Sequence, residues 1–331
     1  MKPAFVTDLF AGDPVDELFA LRKAEIKEFP NGRMLILELG DKTGRIKGVI
    51  WSAGAEQLKA LKIGGIYRVK GNVTSYKGES QITVERIELC EKFDWDDFLA
   101  RSGKSAEQLE RQLDLAIESL SDADYKELLV LIFSDQSLKS AFINGIGGKL
   151  WHHNYIGGLA EHTLSIYGIC CDFAARFDYL DRDLLLAGAI LHDIGKAESY
   201  SFDGFFEYTD TGRLLGHIVI GEALVRDAIN KISGFPKEKA LKIRHLILSH
   251  QGSPEQSSPV HPMIPEGMAL YIADLLDSQL AAMRRIKEKE HRPGVKWSNF
   301  VNLLDRHIYF GSESEAPEKP RLDRKNEQKN N

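Results

Sequence analysis

The stretch Leu184-Leu185-Leu186-Ala187-Gly188-Ala189-Ile190-Leu191 is apolar nearly all round and runs directly into His192-Asp193. A helix without a polar face must be wrapped by other elements, so this chain needs a helical bundle able to enclose it. A charge-capable pair closing such a segment is costly unless it is hydrogen-bonded or bound to a metal. The dipeptide alone says little; its surroundings say more. His162 lies on the inward face of a helix at Leu159 to Phe177, with Leu159, Ile166, Ile169 and Phe173. His217 opens a later helix after Gly216, and His250 closes another before Gln251-Gly252. Asp274 sits in the last helix, with Asp277 one turn further on.

At roughly 100–200 residues per domain, a chain of 331 residues implies two domains. Residues 1–90 read as β. Strands are expected at about Asp16 to Lys27, Arg33 to Leu39, Arg45 to Trp51, Ile66 to Tyr76 and Ser80 to Leu89. A short helix is expected at Ala55 to Leu61, and Lys77-Gly78 marks a turn. Five strands with a helix between the third and fourth is the order of an OB-fold barrel. Residues 91–140 read as a helical connector, with Ser105 and Gln108 forming a capping box. Residues 141–310 read as helices, at Leu215 to Ile232, Lys237 to Ser249 and Met268 to Lys289 among others, with a Pro-rich loop at Pro254 to Pro265. Residues 311–331, with five acids, five bases and one leucine, read as a disordered tail. The expected fold class is therefore multidomain α+β: an N-terminal β-barrel OB-fold followed by an all-α bundle.

The net charge is −6, which excludes a globally basic nucleic-acid-coating protein. Residues 42–86 depart from it, with nine Lys or Arg against three acids. Lys47, Arg68 and Lys70 stand there among Trp51, Tyr67 and Tyr76. Cations interleaved with aromatics suit a single strand, whose phosphates want positive charge and whose bases stack on rings. A solvated sheet face over core aromatics is the other reading. No apolar run reaches the 18 or so residues of a membrane span, and Met1 to Pro14 lacks the apolar stretch of a signal peptide. Cys90, Cys170 and Cys171 cannot build a disulfide framework and fit buried thiols in a reducing cytoplasm. The sequence specifies no interface, so the oligomeric state stays open.

Four histidines and two or more carboxylates on different helices can converge in a bundle core. Mixed imidazole and carboxylate ligation suits Mn²⁺, Fe²⁺, Co²⁺, Ni²⁺ or Zn²⁺ more than Ca²⁺. An Asp beside a His can bridge two ions, and two ions suit phosphoryl chemistry: one activates water and both stabilise the charge of an in-line displacement.

This set resembles the HD-domain metal-dependent phosphohydrolases, in the order His162, His192-Asp193, His217, His250, Asp274. The motifs Gly157-Gly158-Leu159-Ala160-Glu161-His162-Thr163-Leu164, Leu191-His192-Asp193-Ile194-Gly195-Lys196, Gly216-His217-Ile218-Val219-Ile220-Gly221, Leu248-Ser249-His250 and Ser258-Pro259-Val260-His261-Pro262-Met263 are similar to those of the bacterial YhaM-type 3′–5′ exoribonucleases. Those proteins carry an OB-fold before the HD domain, and the resemblance extends to about residue 310. It implies metal roles for His162, His192, Asp193 and Asp274, with His217 and His250 completing a second site that Asp193 bridges. It further implies hydrolysis of single-stranded RNA, with single-stranded DNA a further candidate, to nucleoside monophosphates, using two ions with Mn²⁺ foremost. The family pattern leads one to expect a histidine at Gln251 and a glycine at Ser257.

Several residues carry two readings. Lys196 is a catalytic cation for a phosphate oxygen, beside His192 and Asp193, or a solvated helix residue. His152, His153 and Tyr155 seat a terminal nucleotide or close a packed loop. Asp277 orients a ligand or is exposed. His245 is a reserve ligand on a different helical face and is expected to be structural. Gly204-Phe205-Phe206 falls in a loop, where its rings stack on RNA or are buried. Two other functions remain: a small-nucleotide phosphohydrolase with a regulatory OB domain, and a binding protein with a decayed site. The basic stretch argues against the first, and the complete ligand set against the second.

Overall fold

A computed structural model describes residues 2–29, 32–51, 58–59, 61–148, 153–202 and 206–311. The chain divides into two compact units, Met1–Asp277 and Ser278–Asn331. Strands β1 (Pro14–Phe29), β2 (Gly32–Gly40), β3 (Arg45–Trp51), β4 (Ile66–Tyr76) and β5 (Glu79–Leu89) close a barrel in the order β1-β2-β3-β5-β4. The pairs are antiparallel except β3 with β5, which run parallel, Lys47 opposite Gln81 and Val49 opposite Thr83. The short helix expected at Ala55 to Leu61 falls mostly outside the described residues; Leu58 and Lys59 are helical.

Alternation explains the barrel. Leu35, Leu37 and Leu39 point inward with Phe19, Leu21, Val69, Val73 and Ile82, each buried. Each such side chain contributes about 1.5–3 kcal/mol of burial. The β4–β5 hairpin turns through Lys77 (φ 54°) and Gly78 (φ 84°), the two left-handed residues of a type I′ turn, which matches strand twist. At Gly71 the β4–β5 register shifts, and a Cβ there would meet the Thr83 carbonyl oxygen at 2.0 Å, so only glycine fits.

The helical part of the first unit comprises α1 (Ala106–Glu118), α2 (Ala123–Ser134), α3 (Gln136–Asn144), α4 (Gly158–Arg176), α5 (Arg182–Leu191), the single turn α6 (Lys196–Ser199), α7 (Asp210–Ile229), α8 (Lys237–Ser249) and α9 (Pro265–Glu290), the last continuing into the second unit. Ser105 caps α1 as a capping box with Gln108. The connector helices share one core with the rest: Leu109, Leu113, Leu128 and Leu129 are buried with Leu184, Leu191 and Leu246.

Helix α5 is buried from Asp183 to Leu191. Asp183 accepts the Ser121 N–H at 2.7 Å and the Asp122 N–H at 2.5 Å, tying its first turn to the start of α2. Gly188 lets α8 approach, since a Cβ there would meet Leu246 Cδ2 at 2.3 Å.

Two local differences from the sequence reading stand out. Helix α7 begins at Asp210 rather than Leu215, because the Thr209 hydroxyl accepts the Gly212 N–H at 2.9 Å and caps it. Gly216 then breaks it (φ 75°, ψ 153°), a conformation essentially confined to glycine. After α6 come two short paired strands, β6 (Tyr200–Phe202) and β7 (Phe206–Tyr208); of the residues expected in a loop, Phe206 opens β7, and Gly204 and Phe205 lie outside the described residues. Among the described residues no helix is long and apolar enough to cross a membrane. In the second unit Trp297 bridges Tyr309, with ring centroids 4.7 Å apart. The expected tail lies outside the described residues beyond Gly311.

Candidate metal centre

Helix ends deliver the site. His192 is the C-cap of α5 and His250 the C-cap of α8. Each donates its Nδ1–H to the carbonyl three residues back, His192 to Ala189 at 2.8 Å and His250 to Ile247 at 2.7 Å. That bond fixes the tautomer and leaves Nε2 as a lone pair. His162, on α4, bonds the Asp277 Oδ2 through Nδ1 at 2.7 Å, which turns its Nε2 inward. The Gly216 break sets His217 at the start of the rest of α7. A Cβ at Gly195 would meet the His217 carbonyl oxygen at 2.0 Å, so a bare backbone lets α6 and α7 meet here.

The centre of the arrangement is Asp193, which is buried. Its Oδ2 lies 3.5 Å from His162 Nε2 and 3.3 Å from His192 Nε2. Its Oδ1 lies 3.3 Å from His217 Nε2 and 3.6 Å from His250 Nε2. One carboxylate thus faces two imidazole pairs with different oxygens. Asp274 Oδ1 is 3.2 Å from His162 Nε2. Lys196 Nζ bonds Asp193 Oδ2 at 2.6 Å and the Gly147 carbonyl at 2.5 Å.

Burial opposes ionisation of Asp193, yet Lys196, His192 and His162 outweigh it and hold its carboxyl well below the usual range. Burial likewise opposes charge on His162, but hydrogen bonds to Asp193, Asp274 and Asp277 hold its imidazole well above its ordinary value. Withdrawal from water pushes His217 down to about 3.

These residues fit a divalent metal. His192 Nε2, His250 Nε2 and Asp193 Oδ1 are buried and satisfy no hydrogen bond. Buried acceptors that face one another without a donor are unfavourable in protein alone and suit a cation. His162, His192 and Asp193 form one group with ligand atoms within 4.8 Å of one another; Asp193, His217 and His250 form a second.

An outer layer surrounds the first group. Asp277 accepts from His153 Nε2 at 2.9 Å and from the Ser165 hydroxyl. Burial opposes its charge, and the bonds to His153 and His162 hold its pKa far below normal. Buried His153, at φ 48°, also pairs its Nδ1 with the Tyr155 hydroxyl at 2.7 Å. His153 and Tyr155 therefore pack behind His162, and His152 lies outside the described residues. The sequence reading missed Ser165; its position three residues after His162, on the same helical face, was the available signal. His245 accepts the Met263 N–H through Nε2 at 3.0 Å. Gln251 donates its amide N–H to His217 Nε2 at 3.2 Å, and Ser257 adopts φ 78°.

The barrel residues separate. Trp51 and Tyr76 are exposed, at 59% and 56%. Lys47 lies 6.0 Å from the Tyr76 ring centroid. Tyr67 does not belong with them: it is 3% exposed, packs in the barrel core, and its hydroxyl accepts the Lys62 N–H at 2.7 Å, so its faces cannot stack on a base. Arg68 and Lys70 both pair with Asp16, at 2.6 and 3.0 Å.

The HD domain family matches residues 159–279, and the OB-fold nucleic acid binding domain family matches residues 22–89. The 3′-5′ exoribonuclease YhaM of Bacillus licheniformis is 31% identical over 304 residues, covering 90% of this chain and 95% of its own. The chain belongs to the YhaM family. The YhaM proteins of Bacillus velezensis and Bacillus subtilis are 30% and 29% identical, each over 302 residues, 90% of this chain and 95% of theirs. The HD match spans His162, His192, Asp193, His217, His250 and Asp274, so the family assignment and the histidine–carboxylate cluster fall on the same helices.

Proposed function

We propose that the protein is a metal-dependent 3′–5′ exoribonuclease that hydrolyses single-stranded RNA to nucleoside monophosphates, with single-stranded DNA as a secondary substrate. The observation that carries this reading is Asp193, whose two carboxylate oxygens face separate histidine pairs. The names of the relatives, 3′-5′ exoribonuclease YhaM, support the reaction and its direction.

In this reading His162, His192, Asp193 and Asp274 hold one ion, and Asp193, His217 and His250 hold a second; Mn²⁺ is favoured, with Co²⁺, Fe²⁺, Ni²⁺ or Zn²⁺ compatible. When bound, the pair supplies Lewis acidity and a nucleophile at neutral pH for in-line attack on phosphorus. The chain's own groups do the positioning. Asp277 fixes the His162 ring, and the Ala189 and Ile247 carbonyls fix His192 and His250. Lys196 holds Asp193 ionised and places a cation at the edge of the centre, within reach of a phosphate oxygen. Lys47, Trp51 and Tyr76 give the barrel an exposed cation and two rings for a single strand.

The test is a gel time course on 5′-labelled single-stranded RNA with Mn²⁺, beside EDTA and Asp193→Ala controls. A ladder that shortens from the 3′ end only with metal and wild-type protein is expected. Intact RNA with folded, metal-loaded protein overturns the reading and directs attention to small nucleotides.

A further inference from the structure

We infer that a groove between α3 and the β6–β7 hairpin is the channel for the RNA strand 5′ of the scissile phosphate, an inference that rests on the nuclease reading above. The groove is a cavity of about 500 Å³ bordered by Arg101, Asn144, Lys196, Tyr200, Phe202 and Phe206. A neighbouring cavity of about 390 Å³ shares Arg101 and Asn144 with it and extends past Lys104 to the start of α1. The two cavities, both on the first unit, have Arg101, Asn144 and Ile156 in common.

Its chemistry is that of a single-strand site. Three aromatic rings come from the hairpin. Phe202 is 45% exposed, meets Trp95 edge-on with ring centroids 5.4 Å apart, and lies tilted against Phe206 at 5.1 Å. Arg101 lines both cavities and is paired with Asp96, which with Glu107 also borders the second, so a phosphate must displace Asp96 to reach the guanidinium. Rings for bases beside cations for phosphates bind single strands without sequence preference.

Connectivity selects a polymer over a free nucleotide. At one end, Lys196 both borders the groove and bonds Asp193 through Nζ, so a single side chain stands between the groove and the candidate metal centre. The hairpin follows α6 directly and is thus separated from Asp193 by a single helical turn. On the other side, Trp95 belongs to the segment that follows β5, so the groove lies where the chain leaving the barrel meets the hairpin. A strand gripped by the barrel passes through this groove to reach the centre.

The experiment uses full-length, Mn²⁺-loaded protein and a 5′-fluorescein oligouridylate of about twelve nucleotides, within the range a single-strand site spans. Its linkages are phosphorothioate so that it binds without rapid turnover. Phe202→Ala and Arg101→Gln are each expected to raise Kd about tenfold, and Arg101→Gln to lower the slope of log K against log salt by about 0.7. Thermal melts check that each variant is folded. In parallel, 4-thiouridine placed internally in the same oligomer is photocrosslinked to wild-type protein and mapped by mass spectrometry, with Tyr200, Phe202 or Phe206 expected. Unchanged Kd in both folded variants, or crosslinks confined to other surfaces, overturns the groove. The Mn²⁺ gel assay separates the two ideas: RNA degraded from the 3′ end with the groove unlabelled leaves the nuclease standing and removes the channel. RNA left intact removes the nuclease, and an oligomer that does not bind at all removes the channel as well.

Discussion

The Lys196 ammonium bonds the buried Asp193 carboxylate at 2.6 Å, and both side chains are almost fully enclosed. Removing one partner of such a pair leaves an uncompensated buried charge and costs about 3–5 kcal/mol. We predict that Lys196→Met lowers the stability of EDTA-treated protein by that order, and that Mn²⁺ restores much of the loss by compensating Asp193. Urea unfolding with and without metal reads both effects. A variant as stable as wild type in EDTA would show that Lys196 does not sustain the carboxylate.

The bond from Gln251 to His217 occupies the nitrogen that the proposed second ion would take. A net hydrogen bond of about 1 kcal/mol corresponds to about fivefold in affinity. Gln251→Ala should therefore tighten the weaker step of a two-step Mn²⁺ titration by about that factor, measured by calorimetry. No change in either step means the amide yields without cost.

His217 should make the metal-free protein sensitive to acid. Burial holds its folded pKa at about 3, against 6.5 for the ordinary imidazole. Between these values the unfolded chain binds a proton that the folded protein refuses, so stability rises with pH across this window and falls on acidification. His162 acts in the opposite sense: its raised value adds stability below about 6.5 that is lost as pH rises through its folded pKa. His217→Gln should flatten the decline between about pH 7 and about pH 5 relative to wild type, read by denaturant melts in EDTA. An identical decline in the variant excludes His217 as the cause.

On the barrel, cations are not equivalent. Arg68 and Lys70 are already paired with Asp16, whereas Lys47 stands beside the Tyr76 ring. Lys47→Glu should weaken RNA binding more than Arg68→Glu and reduce the salt slope by about 0.7 or more. Equal effects would point to a general charge field rather than a strand path along β3.

Ser257 holds a left-handed conformation, φ 78° and ψ 10°, that costs a side-chain-bearing residue about 1–2 kcal/mol. Glycine adopts it freely but loses more entropy on folding. Ser257→Gly should give a net gain of about 0.5–1 kcal/mol, visible as a higher Tm. A lower Tm would assign the Ser257 hydroxyl a stabilising contact.

Much of the site is legible in the chain because local signals mark it. His192 and Asp193 end an apolar helix, His217 follows a glycine, and His250 ends a third helix. Helix termini are set by nearby residues, so their positions can be read without knowing the fold. The same holds for the barrel strands, where inward Leu35, Leu37 and Leu39 alternate with outward neighbours. The β6–β7 hairpin escaped notice because three residues per strand are too few to show a period. Lys2, whose ammonium is buried against Asp41 at 2.5 Å and over the Phe19 ring, carries no local signal at all.

Residue types and their spacing along the chain thus sufficed for a β-barrel followed by helices and for the histidines and carboxylates that gather around Asp193, but not for the division into units after Asp277. Their partnerships needed the folded molecule. Tyr67 is a core ring, Arg68 is bound to Asp16 from 52 positions away, and Asp277 reaches back 115 positions to orient His162. Periodicity reports which face of an element is apolar, but not which distant side chain meets that face. Pairing across the chain is set by how whole elements pack, and that packing alone turned one oxygen of Asp193 toward each histidine pair.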